Sequence, residues 1–387
     1  MTPFGDNRIQ QQEFSSMAEK SVSTDSLGLE KKEQYTGKKL RMAFIGCGGI
    51  SQVHLAALKG SIPEVEVVAG VDIDPDRLKI MDEKWGVTAL YKDWKAMLRE
   101  VKPDAVNICT PNGVHAPPAI DSSNAGAHVI VEKPMALDPA QCQQMIDAAK
   151  KNGKQLAVGF QYRYHPSTEF ITRARDAGEL GNVMFVKCQA LRRRGIPNWG
   201  VFGQKQLQGG GPMIDIGVHV IEMAHYCMGS PKPVAASGNT WTFLGNKPSD
   251  IASVWPNWDY KTYTVEDLAT GQIRFENGAI LQIEASFAAH IEKDIWNFTL
   301  TGEKGGANWD PPALFTDRMG TMMNCTPAYL SSKSDFPSLF TSKLRNFVDG
   351  CLHGKPLRAP GEAGLAVQKM LDGVYRSAAA GREVTID

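Results

Sequence analysis

The sequence predicts an α/β protein: a doubly wound parallel sheet followed by an α+β half with a mostly antiparallel sheet and helices on one face. Three observations carry this. From Lys39 to Phe160, short apolar runs alternate with helical stretches, the rhythm of strands joined by crossover helices. A glycine cluster follows the first apolar run, where such sheets turn from strand to helix. After Phe160 the rhythm changes, and Glu276-Asn277-Gly278 lies between two strand-like runs as a hairpin turn.

The elements follow in order. Residues 40–45 form an apolar run ending in glycines, the pattern of a strand buried on both faces. A helix is expected over 51–60 and a second strand over 65–71. Asp74-Pro75-Asp76 opens another helix, with proline in its first turn and acids near its N-terminus. Strands are expected over 105–110, 128–131 and 155–159, with helices over 116–125 and 138–152 between them. The second half should contain a helix over 166–177, a strand over 183–191 and a helix over 213–228. Strands near 233–243, 267–275, 279–287 and 294–301 come next, the middle pair joined by a two-residue turn. Amphipathic helices over 338–354 and 362–381 close the chain.

This gives a tail over 1–38, a doubly wound unit over 39–160 and a second unit over 161–387. Residues 1–38 are rich in Gln, Ser, Lys, Glu and Asp and read as a flexible tail or an arm for a neighbouring subunit, with Met17 an alternative start. The 387 residues carry 42 basic and 42 acidic side chains, which argues against a broadly basic nucleic-acid or membrane-binding surface. No apolar run is long enough to span a bilayer. Seven scattered cysteines, none in a C-x-x-C pair, fit a reducing compartment, and with no secretion signal the expectation is cytoplasmic.

Gly46-Cys47-Gly48-Gly49-Ile50-Ser51 has the first two glycines of a dinucleotide fingerprint, with Ser51 in place of the third small residue. The first glycine permits a tight turn. The second lets a pyrophosphate approach a helix N-terminus, where free amides favour anions. The second strand ends in Asp72, 26 residues after Gly46, a little beyond the usual spacing of about 20. An acid there bonds ribose hydroxyls and repels a 2′-phosphate, which favours NAD, while Arg77 keeps NADP as the alternative. Thr110-Pro111-Asn112-Gly113-Val114-His115 and Glu132-Lys133-Pro134 end two further strands, and ligands bind open α/β sheets at such ends. The expected cofactor set is Gly46, Gly48, Gly49, Ile50, Asp72, Arg77, Thr110, Pro111, Asn112, His115, Glu132 and Lys133. Further on, Asp215 and His219 are four apart and share a face if helical.

Together these pieces resemble the glucose–fructose oxidoreductase and inositol dehydrogenase (Gfo/Idh/MocA) family. The resemblance rests on GCGGIS, Asp72, TPNGVH, EKP, GFQYRYHP, GGGPMIDIGVH, VEDLATGQIRFENGA, GEKGG and GREV, over roughly residues 40–387. It implies a Rossmann domain, a large open C-terminal sheet and a homodimer or homotetramer formed through that sheet. It also implies that Lys133, Asp215 and His219 line the substrate side of the nicotinamide, and it adds Gln161 to the expected cofactor contacts. A histidine suits general-base work near neutrality, a lysine can stabilise developing alkoxide charge, and either could take the hydroxyl proton. Arg163, Tyr164, His165 and Trp199 join Lys133, Asp215 and His219 as expected substrate contacts. Trp199 is the stacking candidate for a sugar face. Arg192-Arg193-Arg194 is a local basic cluster that could face substrate, a subunit neighbour or water.

The expected activity is NAD-dependent oxidation of a ring hydroxyl on a sugar, glycoside or cyclitol. A redox-neutral glycoside hydrolase on the same fold is the alternative, with Tyr162, Tyr164 or His165 as its extra base. A non-catalytic cofactor sensor is the third. No metal is expected; Asp215, His219 and His290 would be the set if one were bound.

Overall fold

A computed structural model describes residues 37–330 and 333–387. The expected tail thus lies, up to residue 36, outside the described residues. The parallel sheet holds β1 (Leu40–Ile45), β2 (Val65–Val71), β3 (Leu90–Tyr91), β4 (Ala105–Ile108), β5 (His128–Val131) and β6 (Leu156–Val158). Its strand order is β3-β2-β1-β4-β5-β6, so the chain reverses direction across the sheet between β1 and β4. A crevice at that reversal is where doubly wound sheets take ligands.

Helices α1 (Gly49–Ser61), α2 (Pro75–Trp85), α3 (Trp94–Val101), α4 (Ala116–Asn124) and α5 (Pro139–Lys151) make the crossovers. Their starts are written locally: Asp74, Asp93 and Asp138 accept backbone amides of the first turn in α2, α3 and α5. The sequence reading missed α3 and the two-residue β3. Then follow α6 (Pro166–Asp176) and β7 (Val183–Leu191), whose bounds matched closely.

Among the described residues the second sheet has nine strands. To β7 it adds β8 (Pro233–Trp241), β9 (Leu268–Phe275), β10 (Ile280–Ser286), β11 (Ile295–Gly302), β12 (Gly305–Asn308), β13 (Ala313–Arg318), β14 (Thr321–Cys325) and β15 (Val384–Thr385). Their order is β14-β13-β12-β11-β7-β10-β9-β8-β15, with only β7 and β10 parallel. The β9–β10 turn differs from expectation. Phe275 N donates to Ala279 O at 3.0 Å, so three residues form the loop, and Gly278 alone has positive φ, at 85°.

The expected helix over 213–228 is two pieces: a π-helical turn, Met213–Gly217, and then α7 (Val218–Cys227). Nine of the ten α7 residues are buried, since it is enclosed between layers. One apolar core runs from the parallel sheet (Val106, Val129) through α7 (Val220, Met223) to β10 (Leu281, Ile283). A second covers the other face of the parallel sheet, where Met42 and Phe44 meet Leu55 of α1 and Phe340, Leu344 and Phe347 of α8 (Phe336–His353). The last helix, α9 (Gly361–Ala380), spans both halves: Gln368 donates to the Leu137 carbonyl at 2.8 Å, and Ser377 Oγ accepts the Gly238 amide of β8 at 2.9 Å.

Candidate active site

The glycine loop is built at the carboxyl end of β1. Gly46 has φ 86°, and a Cβ there would stand 2.6 Å from the Cys109 carbonyl and the Thr110 nitrogen, so no other residue fits. Asp72 braces the loop, its Oδ2 accepting the Cys47 amide at 2.7 Å and its Oδ1 the Asp74 amide at 3.0 Å. Ser51 turns inward to Gly48 O at 2.6 Å. By contrast, a Cβ on Gly48 or Gly49 would meet nothing within 4 Å, and the α1 N-terminus has no side-chain cap. Open space over free amides suits a pyrophosphate. Thr110 Oγ1 and Gln161 Oε1 are buried without a hydrogen-bond partner among the described residues, as polar groups that meet a bound nucleotide would be. These residues fit a dinucleotide. Ile50 is partly buried beside them.

Several expected cofactor contacts have other partners. Asn112 donates to Gln208 O at 2.9 Å. Pro111 precedes the short turn Asn112–Val114. His115 is buried with its ring nitrogens 2.8 Å from Pro134 O and 2.9 Å from Thr110 O, tying the two strand ends together. Glu132 is turned into the protein rather than toward the crevice and pairs with Lys343 and His54. Arg77 lies on the surface, 3.8 Å from Asp74.

Lys133, Asp215 and His219 come together across the crevice. Lys133 Nζ donates to the Asp215 carbonyl at 2.8 Å and to its Oδ1 at 3.1 Å. The π-helical turn places Asp215 here. Its approach, Gly211, lies so close to Glu266 that a Cβ would stand 2.0 Å from that carbonyl. Glu266 in turn accepts the Gly211 amide at 2.9 Å and the Met213 amide at 3.3 Å.

His219 is buried. Burial and the neighbouring Lys133 charge hold its pKa well below the usual imidazole value, so the ring is neutral. Tyr162 meets it edge-on with centroids 5.1 Å apart, and Trp296 lies 5.9 Å away. Burial pushes the Tyr162 hydroxyl up to about 12, with Arg192 pulling it back.

Arg192 is the site residue the sequence reading left undecided. Its guanidinium lies 4.6 Å from the Trp255 ring centre and 5.6 Å from Phe287, and its Nη1 donates to Gly195 O at 2.9 Å. It is close enough for its charge to act on Asp215, Tyr162 and His219. Trp199 stacks on Trp255 at 5.7 Å and 10°, leaving 49% of its surface exposed on the rim. Arg193 and Arg194 turn elsewhere, to Glu292 O and His290. Among the described residues no group of three or more His, Cys, Asp or Glu side chains is disposed to hold a metal.

Three expected substrate contacts are corrected. Arg163 is 3% exposed, and its Nε and Nη1 are spent on Glu222 and the Arg358 carbonyl. Tyr164 is buried and donates to Asn346 Oδ1 at 2.9 Å, under the Arg358 guanidinium. His165 caps α6, its Nδ1 accepting the Ser167 amide at 3.2 Å, with its ring 4.5 Å from Trp309. Arg163 and Tyr164 are thus spent on joining structural layers, while His165 stays partly buried beside Trp309. His225, bonded to Pro231 O at 2.8 Å and stacked on Phe275, packs its helix.

The family is decided by comparison. A family model described as an oxidoreductase family with an NAD-binding Rossmann fold matches residues 40–160, and a GFO/IDH/MocA C-terminal domain matches 169–308. The D-glucoside 3-dehydrogenase of Escherichia coli K12 is 35% identical over 92% of this chain and 100% of its own length. The chain belongs to the Gfo/Idh/MocA oxidoreductases. A second relative in that family, the levoglucosan dehydrogenase of Pseudarthrobacter phenanthrenivorans, is 28% identical over 69% of this chain and 73% of its own. A levoglucosan dehydrogenase solved in complex with NADH shares the fold, with TM-score 0.78 and 22% identity over 90% of this chain and 100% of that one. As a Gfo/Idh/MocA member the protein is an NAD-binding oxidoreductase that works by hydride transfer.

Proposed function

We propose that the protein is an NAD-dependent dehydrogenase that oxidises a ring hydroxyl of a D-glucoside, at position 3. The observation that carries the reading is the pair of hydrogen bonds that Lys133 Nζ donates to Asp215 beside a neutral His219. The name of the 35%-identical E. coli relative supports the substrate and the position.

A bound nicotinamide supplies the acceptor for the carbon-bound hydrogen and its electron pair. This chain does the rest. Two Lys133 donors are held by Asp215, and the third is left for the substrate oxygen, where its charge stabilises alkoxide character. His219, neutral, takes the hydroxyl proton on a ring nitrogen. Arg192, with donors remaining, holds a neighbouring substrate oxygen, and Trp199 offers its exposed face at the rim. Gly48 and Gly49 admit the pyrophosphate. Fixed orientation of the reacting carbon supplies much of the rate.

The oxidation–elimination alternative needs a second base. Tyr162 is held protonated, Tyr164 donates to Asn346, and His165 Nδ1 is taken by the Ser167 amide, which supports the simple dehydrogenase. We also infer a homodimer or homotetramer through the C-terminal sheet, whose outer end exposes Phe315, Met319 and Met322. The residue 160/161 division and the cytoplasmic location belong to the same proposal.

The test is a panel of glucosides, free sugars and cyclitols with NAD and NADP, followed at the nicotinamide absorbance band. NADH should accumulate with a glucoside, one per ketone formed. Release of nitrophenol from a nitrophenyl glucoside without net NADH would overturn the reading in favour of hydrolysis.

A further inference from the structure

Behind the strand end that carries Lys133 lies a buried ion cluster with no part in the proposed chemistry. Glu132 Oε1 accepts from Lys343 Nζ at 2.6 Å and from His54 Nε2 at 2.9 Å. Glu132 Oε2 accepts the backbone N–H of Lys133 at 3.2 Å. His54 Nδ1 accepts from Asn107 Nδ2 at 2.8 Å. Lys343 reaches the cluster from α8, 211 residues away in sequence, and is 2% exposed. Gly159 makes room for the carboxylate, since a Cβ there would stand 2.6 Å from Glu132 Oε1.

Desolvating such ions is costly, and apolar residues of similar volume often serve stability as well or better. The arrangement has a geometric product instead. Lys343 and His54 fix Glu132, Glu132 holds the Lys133 amide, and the Lys133 ammonium meets Asp215.

We infer that Lys343 and His54 are positioning residues that act through Glu132 to set the backbone of Lys133, so that the C-terminal helix α8 governs the aim of the reacting lysine. This rests on the role proposed for Lys133.

The cluster also gives a signature that packing alone would not. The charged groups acting on His219 are Lys133 and Arg192 nearby, with Glu132 and Lys343 behind them. Asp215 lies one turn back and Tyr162 is against the ring. The positive charges and burial push the His219 pKa down, and Glu132 opposes them. Neutralising Lys343 or Glu132 should therefore move His219 in opposite directions.

The experiment uses the full chain with NAD and methyl glucoside, comparing Lys343→Met, Glu132→Gln, the double variant and Lys133→Met. We expect kcat to fall about tenfold or more in each single variant, with KM for NAD changed less than about threefold, the range of lost orientation. The acid limb of kcat/KM should move up in pH for K343M and down for E132Q, and return toward its original place in the double variant. Thermal melting identifies a variant that has not folded; the double variant, which balances charge, then carries the test. Unchanged kcat and an unmoved limb in the variants, with Lys133→Met inactive, would overturn the positioning role and leave the Lys133 reading intact. An active K133M would remove the reading on which the inference depends.

Discussion

His219 is neutral because its surroundings make a charge costly. Burial comes first, then the Lys133 charge, and both push its pKa well below the usual imidazole value. A base so depressed stays unprotonated at mildly acidic pH. The kcat/KM profile for oxidation should thus be flat from neutrality through about pH 6.5, the unperturbed value, with its acid limb below. A limb centred at or above that value would count against His219 as the base. Lys133→Met should lower kcat by about 10²- to 10³-fold, the usual loss of one oxyanion donor, with NADH affinity measured by fluorescence largely kept. At this scale the sequence was informative about place: Lys133 follows a strand end, and Asp215 follows a glycine run. It misled at Arg163 and Tyr164, which follow the β6 end but turn toward Glu222 and Asn346. A three-residue alternation cannot say which layer lies on which side of the chain.

The glycine loop, as an element, separates folding from binding. Gly46 is locked by backbone contact, so Gly46→Ala should destabilise the protein by roughly 2–4 kcal/mol through positive-φ strain and overpacking, read as a lower urea midpoint. Gly48 faces open space, so Gly48→Ala should leave the midpoint nearly unchanged while weakening NADH binding about tenfold, as expected where a backbone must approach a pyrophosphate. Equal losses in both variants would argue that the loop is only structural. The elements themselves were mostly legible, because strands buried on both faces and aspartate caps leave local signals. Met213–Gly217 was legible only as helix. Its π-helical turn depends on Glu266 holding the Gly211 and Met213 amides from more than 50 positions away, which no local period encodes.

Across the whole molecule, the two sheets are joined by buried polar ties as well as apolar cores. Arg163, Glu222 and the Arg358 carbonyl form one such tie, with the guanidinium 4.3 Å from the Tyr226 ring. Arg163→Met leaves Glu222 buried without its partner and should cost about 3–5 kcal/mol, measured by denaturant unfolding, with kcat of the folded fraction kept. Acid lability should be pronounced. His225 and His165 have pKa values lowered by burial to about 4. Their unfolded forms take up protons near pH 6.5, while the native forms do not until about pH 4. Stability is therefore full above pH 6.5 and falls as the pH drops toward 4. Buried His225 alone contributes roughly 3 kcal/mol over that window. His225→Asn should flatten the pH dependence of the urea midpoint between pH 7.5 and 5.

The alternating apolar runs were enough to place a doubly wound sheet ahead of an antiparallel one, since burial on two faces or one writes itself into local hydrophobic pattern. EKP and the glycine loop marked the crevice because they sit at strand ends, which pattern also locates. Only the tertiary structure decided which charges meet. It brought Lys343 to Glu132, laid Arg192 of the three arginines on the Trp255 ring and gave Arg163 to Glu222. Such contacts join residues tens to hundreds of positions apart, and their energies depend on desolvation that exists only once the layers have closed.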